Sequence, residues 1–170
     1  VGATRAEAAE VEAAGAAVLH RPTLQIVALA PALPAIPRVD WLVFTSPNAV
    51  WHGVGRLPTE RRGDARVAAV GPGTATAARH QGLAVSAAPQ SGGGADDLLA
   101  EAAFDAGAGA RVLIIRGEGG RRRLPEALRE RGASVDEWVV YRREVPEGGL
   151  AIPREWQARE DTRACHSWAV

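Results

Sequence analysis

Asp40-Trp-Leu-Val-Phe-Thr-Ser-Pro-Asn-Ala-Val50 is the stretch from which the fold can be read. Residues 41–44 are an unbroken apolar run, as expected of a strand buried on both faces. The run stops at Thr45-Ser46-Pro47, where a capping hydroxyl precedes a proline suited to the first turn of a helix. A strand therefore feeds directly into a helix N-terminus. In an open α/β sheet such junctions gather along the carboxyl edge, where ligands bind. Free N–H groups and the positive end of the helix dipole favour anions there. Two more junctions follow, Val67-Ala-Ala-Val-Gly-Pro-Gly-Thr-Ala-Thr76 and Val112-Leu-Ile-Ile-Arg-Gly-Glu-Gly-Gly-Arg121.

Working outward, strand 41–44 leads to a helix over 48–57, and strand 67–70 to a helix over 74–80 closed by Gly82. A short strand over 84–87 precedes a glycine turn at 92–94 and a helix over 96–102. Strand 111–115 leads to a helix over 122–131, with Leu124 and Leu128 on its buried face and Gly132 as its stop, and a last strand covers 135–141. Five strands alternating with four helices predict an α/β, doubly wound, flavodoxin-like parallel five-stranded sheet. Upstream, the alanine- and glutamate-rich stretch 5–14 reads as a helix closed by Gly15, residues 16–19 as a short strand and 24–27 as another extended piece. Pro31, Pro34 and Pro37 mark a linker. The expected organisation is a partial lobe over 1–30, a linker over 31–39, a complete α/β lobe over 40–141, and a connector and tail over 142–170. No structure is assigned to residues 154–170, which mix charges, two tryptophans and a cysteine without a period.

At 170 residues the chain can hold one domain, or one and part of another. Formal net charge is zero, which argues against a nucleic-acid surface. All 20 basic residues are arginine, so no Schiff base and no P-loop lysine is available. The single cysteine, Cys165, permits no internal disulfide and no cysteine metal site. No apolar stretch approaches the roughly 18 residues of a membrane span. Valine opens the chain and methionine is absent, so the sequence reads as a fragment or processed form without a signal peptide.

Gly71-Pro-Gly-Thr-Ala-Thr-Ala77 resembles a dinucleotide fingerprint superficially. The full motif needs an acidic residue ending the next strand, and that strand ends at Ala87-Ala-Pro89. Pro72 also removes an N–H from the cradle, and the plainer reading is a tight turn allowing close backbone approach. Arg116-Gly-Glu-Gly-Gly-Arg121 cannot be a Walker A motif without lysine. It reads either as a flexible turn with solvated arginines or as a fork receiving substrate carboxylates through Arg116. His20, His52, His80 and His166 show no metal-ligand spacing and read as surface or packing residues. Tyr141, the only tyrosine, ends the last strand, either as packing or as a weak acid presented to a cleft.

Together, Phe44-Thr-Ser-Pro-Asn-Ala-Val50, Val67-Ala-Ala-Val-Gly-Pro-Gly-Thr-Ala75, Leu113-Ile-Ile-Arg-Gly-Glu-Gly-Gly-Arg121 and Val140-Tyr-Arg-Arg143 resemble the uroporphyrinogen-III synthase family, in that family's order and over about residues 5–146. The resemblance implies a hydro-lyase that closes the linear tetrapyrrole hydroxymethylbilane to uroporphyrinogen III, inverting ring D and losing water. It implies no cofactor and no metal, a monomeric cytoplasmic enzyme of porphyrin and haem biosynthesis, and substrate delivered by hydroxymethylbilane synthase. No nucleic acid or membrane partner is implied. Thr45, Ser46, Gly71, Thr74 and Arg116 match ligand-facing turns, and Tyr141 matches the tyrosine thought to assist departure of the hydroxyl.

The chain departs from the family pattern in its first lobe, of which only a helix and strand near 5–27 are recognisable. After Val145 no second Phe-Thr-Ser-like junction or Gly-Pro turn returns, and residues 147–170 align with nothing. With one wall of the cleft unaccounted for, the chain as written is expected to be a poor catalyst or inactive. The alternative is a non-catalytic, flavodoxin-like anion- or nucleotide-binding module. A receiver domain would want clustered aspartates at strand ends, where this chain has Thr45, Gly71 and Arg116.

Overall fold

The computed structural model describes residues 2–18, 24–35, 38–60 and 65–147, the backbone alone for residues 2–7. The chain divides into two compact units, residues 26–144 and residues 1–25 with 145–170. In the latter, helix α1 (Gly2–Ala13) occupies the expected helical stretch, and Gly15 follows it with φ 88°. The strand expected over 16–19 is not formed at residues 16–18, and Leu19 lies outside the described residues. Ala16 and Ala17 lack the branched surface that stabilises a β-ladder. Cys165, His20, His166 and the tail over 154–170 also lie outside the described residues.

The sheet is built from β1 (Gln25–Ala28), β2 (Trp41–Phe44), β3 (Arg66–Ala69), β4 (Val85–Ala87), β5 (Arg111–Gly117) and β6 (Ser134–Glu144). Across the sheet they run β1-β6-β5-β2-β3-β4. The pairings from β4 through β6 are all parallel. Counted from β2, the five parallel strands follow the order 3-2-1-4-5. This is a doubly wound sheet as expected, although flavodoxin itself runs 2-1-3-4-5. The extended piece at 24–27 adds a sixth strand beside β6, and Leu29 N–H continues that edge by donating to Val140 O at 2.9 Å.

Helices α2 (Pro47–Gly53), α3 (Pro72–His80), α4 (Ala95–Ala100) and α5 (Arg123–Glu130) alternate with these strands among the described residues. A 3-10 turn over Val54–Arg56 tightens the end of α2, shortening the helix expected to reach 57. Helix α4 stops at Ala100, short of the expected 102, because the chain turns so that Phe104 N–H reaches Glu101 O. Phe104 then meets Trp41 edge-on, with ring centroids 4.9 Å apart. Gly82 and Gly132, at φ 77° and 84°, provide the left-handed exits of α3 and α5 that a Cβ would strain.

Strand parity sorts the core onto two faces. Leu42, Phe44, Leu113 and Ile115 pack with Val50, Val54 and Ala78 beneath α2 and α3. Trp41, Val43, Val112 and Ile114 pack with Leu98, Leu124 and Leu128 beneath α4 and α5. All four residues of β2 have no exposed surface, as the uninterrupted apolar run requires.

Truncating Leu128, fully buried beneath the sheet, to alanine should destabilise the chain by about 2–5 kcal/mol, because the emptied space collapses only in part. Urea unfolding followed by circular dichroism measures this as a lowered midpoint at unchanged slope.

Candidate functional site

The strand order reverses between β2 and β5, and the crevice beyond their carboxyl ends is where a doubly wound sheet takes its ligand. Thr45 closes the floor of that crevice. Its N–H donates to Ile115 O at 3.1 Å and its Oγ1 to the same oxygen at 3.3 Å, tying the end of β2 to β5. Ser46 follows in an extended conformation (φ −166°, ψ 161°), and its Oγ accepts from Ala49 N–H at 3.1 Å as the cap of α2. Pro47 starts the helix without wasting a donor.

The same Ser46 Oγ lies 3.0 Å from Tyr141 Oη. Tyr141 is only 2 % exposed, and its position depends on an irregularity in β6. Arg116 faces Val139, but the next residue, Gly117, faces Tyr141, so β6 carries one extra residue at this point. Such a bulge re-aims a side chain beside a site. Trp138 and Val140 share the α2 face by alternation, and the bulge brings Tyr141 onto that face as well. Two residues on, Arg143 Nη2 donates to Tyr141 Oη at 3.3 Å, with its guanidinium carbon 5.7 Å from the ring centroid. The His52 ring from α2 is 6.0 Å from the tyrosine ring, centroid to centroid.

The second turn sits farther along the same edge. Gly71 caps α3 at φ −172°, a backbone any residue adopts, so its glycine is explained by space. A Cβ there would lie 3.3 Å from Gly93 Cα, where the 92–94 turn packs against it and Gly94 N–H donates to Val70 O at 2.8 Å. Thr74, 4 % exposed, stands in the first turn of α3.

Arg116 occupies different surroundings. Its side chain is 11 % exposed and shares the parity of Ile114, on the α5 face opposite Tyr141. It donates to Glu137 Oε2 at 2.6 Å, Gly120 O at 2.8 Å and Gly117 O at 3.2 Å. Glu137 Oε1 is also 3.3 Å from Arg129 Nη2 on α5. The guanidinium thus clamps the 117–120 turn through three of its five N–H groups. Among the described residues no group of three or more His, Cys, Asp or Glu side chains could hold a metal ion, and no helix is long and apolar enough to cross a membrane.

A family model described as Uroporphyrinogen-III synthase HemD matches residues 5–164. The chain belongs to the uroporphyrinogen-III synthase family. It is 34% identical to the uroporphyrinogen-III synthase of Proteus mirabilis over 139 residues, which are 76% of this chain and 70% of that protein. It is also 34% identical to the uroporphyrinogen-III synthase of Synechococcus elongatus over 154 residues, 82% of this chain and 56% of the relative. The fold matches the crystal structure of uroporphyrinogen-III synthetase from Helicobacter pylori at a TM-score of 0.55 and 20% identity, covering 73% of this chain and 55% of that one. A mutant uroporphyrinogen III synthase from the extremely thermophilic bacterium Thermus thermophilus matches at 0.59 and 22%, covering 90% of this chain and 63% of that one. The chain therefore spans between 55% and 70% of the lengths of these relatives.

Membership in the uroporphyrinogen-III synthase family corrects one sequence expectation. The match runs through residue 164, so most of the tail read as aligning with nothing falls within the family's span. Of the residues singled out in the sequence, the structure gathers Thr45, Ser46 and Tyr141 at the crevice, with Gly71 and Thr74 at the neighbouring turn. Arg143, which reaches the Tyr141 hydroxyl, is not among the residues singled out, and His52, expected as a surface or packing residue, packs near the Tyr141 ring. Arg143 was legible, since residues two apart on a strand share a face and it follows Tyr141 at that spacing. The approach of His52 to Tyr141 had no local signal.

Two substitutions probe this arrangement. Ser46→Ala should remove the cap of α2 and lower stability by about 1 kcal/mol, with Ser46→Asn recovering most of the loss in thermal unfolding. Glu137→Gln leaves the enclosed Arg116 with a neutral partner and should cost about 1–3 kcal/mol. Faster amide hydrogen exchange over 117–120 than in the parent chain would mark the loosened turn.

Proposed function

We propose that the chain carries one wall of a uroporphyrinogen-III synthase cleft, at which hydroxymethylbilane is closed to uroporphyrinogen III with inversion of ring D and release of one water. The observation that carries this reading is the Ser46–Tyr141 hydroxyl pair, 3.0 Å apart at the switch point of the sheet. Family membership supports the reaction class, and the chemistry of the substrate suits the edge on which the pair lies.

The substrate leaves its terminal hydroxyl behind as water, giving an azafulvene cation that closes through a spiro intermediate. A poor leaving group needs a proton, and the Tyr141 hydroxyl is the acid we place there. With Ser46 and Arg143 both at its oxygen, the phenol is held in one orientation before substrate arrives. Such preorganisation lowers the barrier by positioning and electrostatic complementarity. We assign the acetate and propionate groups to the N–H groups in the first turn of α3, between Gly71 and Thr74, and to Ser46, while Thr45, whose two donors both go to Ile115 O, holds that edge in place. Arg116 contributes by holding the 117–120 turn with three of its five N–H groups, which leaves two for a substrate carboxylate. The reading requires neither metal nor cofactor. It places the protein in the cytoplasm as a monomer that receives substrate from hydroxymethylbilane synthase, with no nucleic-acid or membrane partner.

The test supplies the chain with hydroxymethylbilane made enzymatically and separates the uroporphyrin isomers after oxidation. As a poor catalyst carrying one wall, the chain should form the III isomer slowly but above the spontaneous background of isomer I, and Tyr141→Phe should lower its rate by about 10²-fold. Formation of isomer I alone, at the rate seen without protein, would overturn the proposal.

A further inference from the structure

The position of Tyr141 is set by a side chain that is absent. A Cβ built on Gly117 would lie 2.4 Å from Tyr141 Cζ and 2.7 Å from both Cε2 and Oη. Carbon atoms in contact settle at about 3.5–4.0 Å, so the phenol occupies the volume that any other residue at 117 would fill. Nothing in the backbone asks for glycine here, because Gly117 is not among the glycines with positive φ. The requirement comes wholly from the ring lying across the end of β5.

Three further observations bear on what the slot does. The bulge in β6 brings Tyr141 opposite Gly117 instead of Val140, and Glu118 N–H locks that register by donating to Tyr141 O at 2.8 Å. The backbone of Tyr141 is thus anchored beside the slot, so a ring displaced from it must turn about its own side-chain bonds. Its hydroxyl would then leave Ser46 Oγ, 3.0 Å away, and Arg143 Nη2, 3.3 Å away.

We infer that Gly117 is a positioning residue for Tyr141: by having no side chain it forms the slot that holds the phenol, and so fixes the hydroxyl between Ser46 and Arg143. The role in catalysis rests on the tyrosine acting as proposed above, whereas the slot itself does not.

Tyr141 is the only tyrosine, so ring-labelled tyrosine gives one set of ring signals in carbon-detected NMR of the whole chain. Gly117→Ala should shift these signals and abolish the nuclear Overhauser contact between the ring and the α-hydrogens of residue 117, while far-ultraviolet circular dichroism stays unchanged. In a turnover assay, kcat for uroporphyrinogen III should fall by about 10²-fold, the scale of a misplaced reacting group, with KM within about twofold. The same substitution should have little further effect in a Tyr141→Phe background, where the hydroxyl is already gone. Should Gly117→Ala fold poorly, thermal melts of Gly117→Ala/Tyr141→Ala against Tyr141→Ala decide, because alanine at 117 should lower the melting temperature only when the ring is present. Unchanged ring signals in Gly117→Ala, or an equal drop in melting temperature with and without the ring, would overturn the inference. Full activity in Tyr141→Phe would instead overturn the assigned role of the tyrosine and leave the slot standing.

Discussion

The site depends on the burial of β2 between two parallel neighbours and two layers of helices. Its residues pair with β3 on one edge and β5 on the other, and no part of Trp41–Phe44 is exposed. Each fully buried side chain of this size favours the folded state by roughly 1.5–3 kcal/mol, so the strand cannot shift without losing several such terms. Register matters as much as burial, because a slip of one residue would exchange the two faces. Thr45 and Ser46 are therefore delivered to one place, with the Thr45 side chain and backbone both fastened to Ile115 O.

Onto this fixed edge the chain brings a group from far along the sequence. Tyr141 is 95 residues from Ser46, yet their hydroxyls meet. Parallel pairing of β6 with β5 covers most of that separation, and the bulge opposite Arg116 and Gly117 supplies the last turn of the side chain. The opposite face does the supporting work. Arg116, Glu137 and Arg129 form a linked set that holds the 117–120 turn, leaving the α2 face to the phenol. Arginine suits this post because its planar fork can serve three acceptors at once.

Much of the architecture was legible in local pattern. The apolar run at 41–44, the Ser46-Pro47 cap and the glycine stops at 82 and 132 each act through their immediate neighbours, and each lies where the pattern put it. The failures have local causes too. Residues 16–18 carried an apolar signal made largely of alanine, which offers little to a ladder. Helix α4 was read too long because nothing nearby announced that Phe104 would be drawn against Trp41. For Arg116, at the end of β5, the sequence leaves two readings open, and a turn sequence alone does not reveal a glutamate 21 residues away.

The order of strands and helices, the two-sided burial of β2 and the family were determined by sequence, because each rests on periodicity, capping or motifs read within short windows. The pairing of Tyr141 with Ser46, the enclosure of Arg116 and the need for glycine at 117 were decided only by tertiary structure. All three depend on the register of β6 against β5, and a single extra residue in that ladder reverses which face a side chain takes. Alternation along β6 contains no mark of where that residue falls.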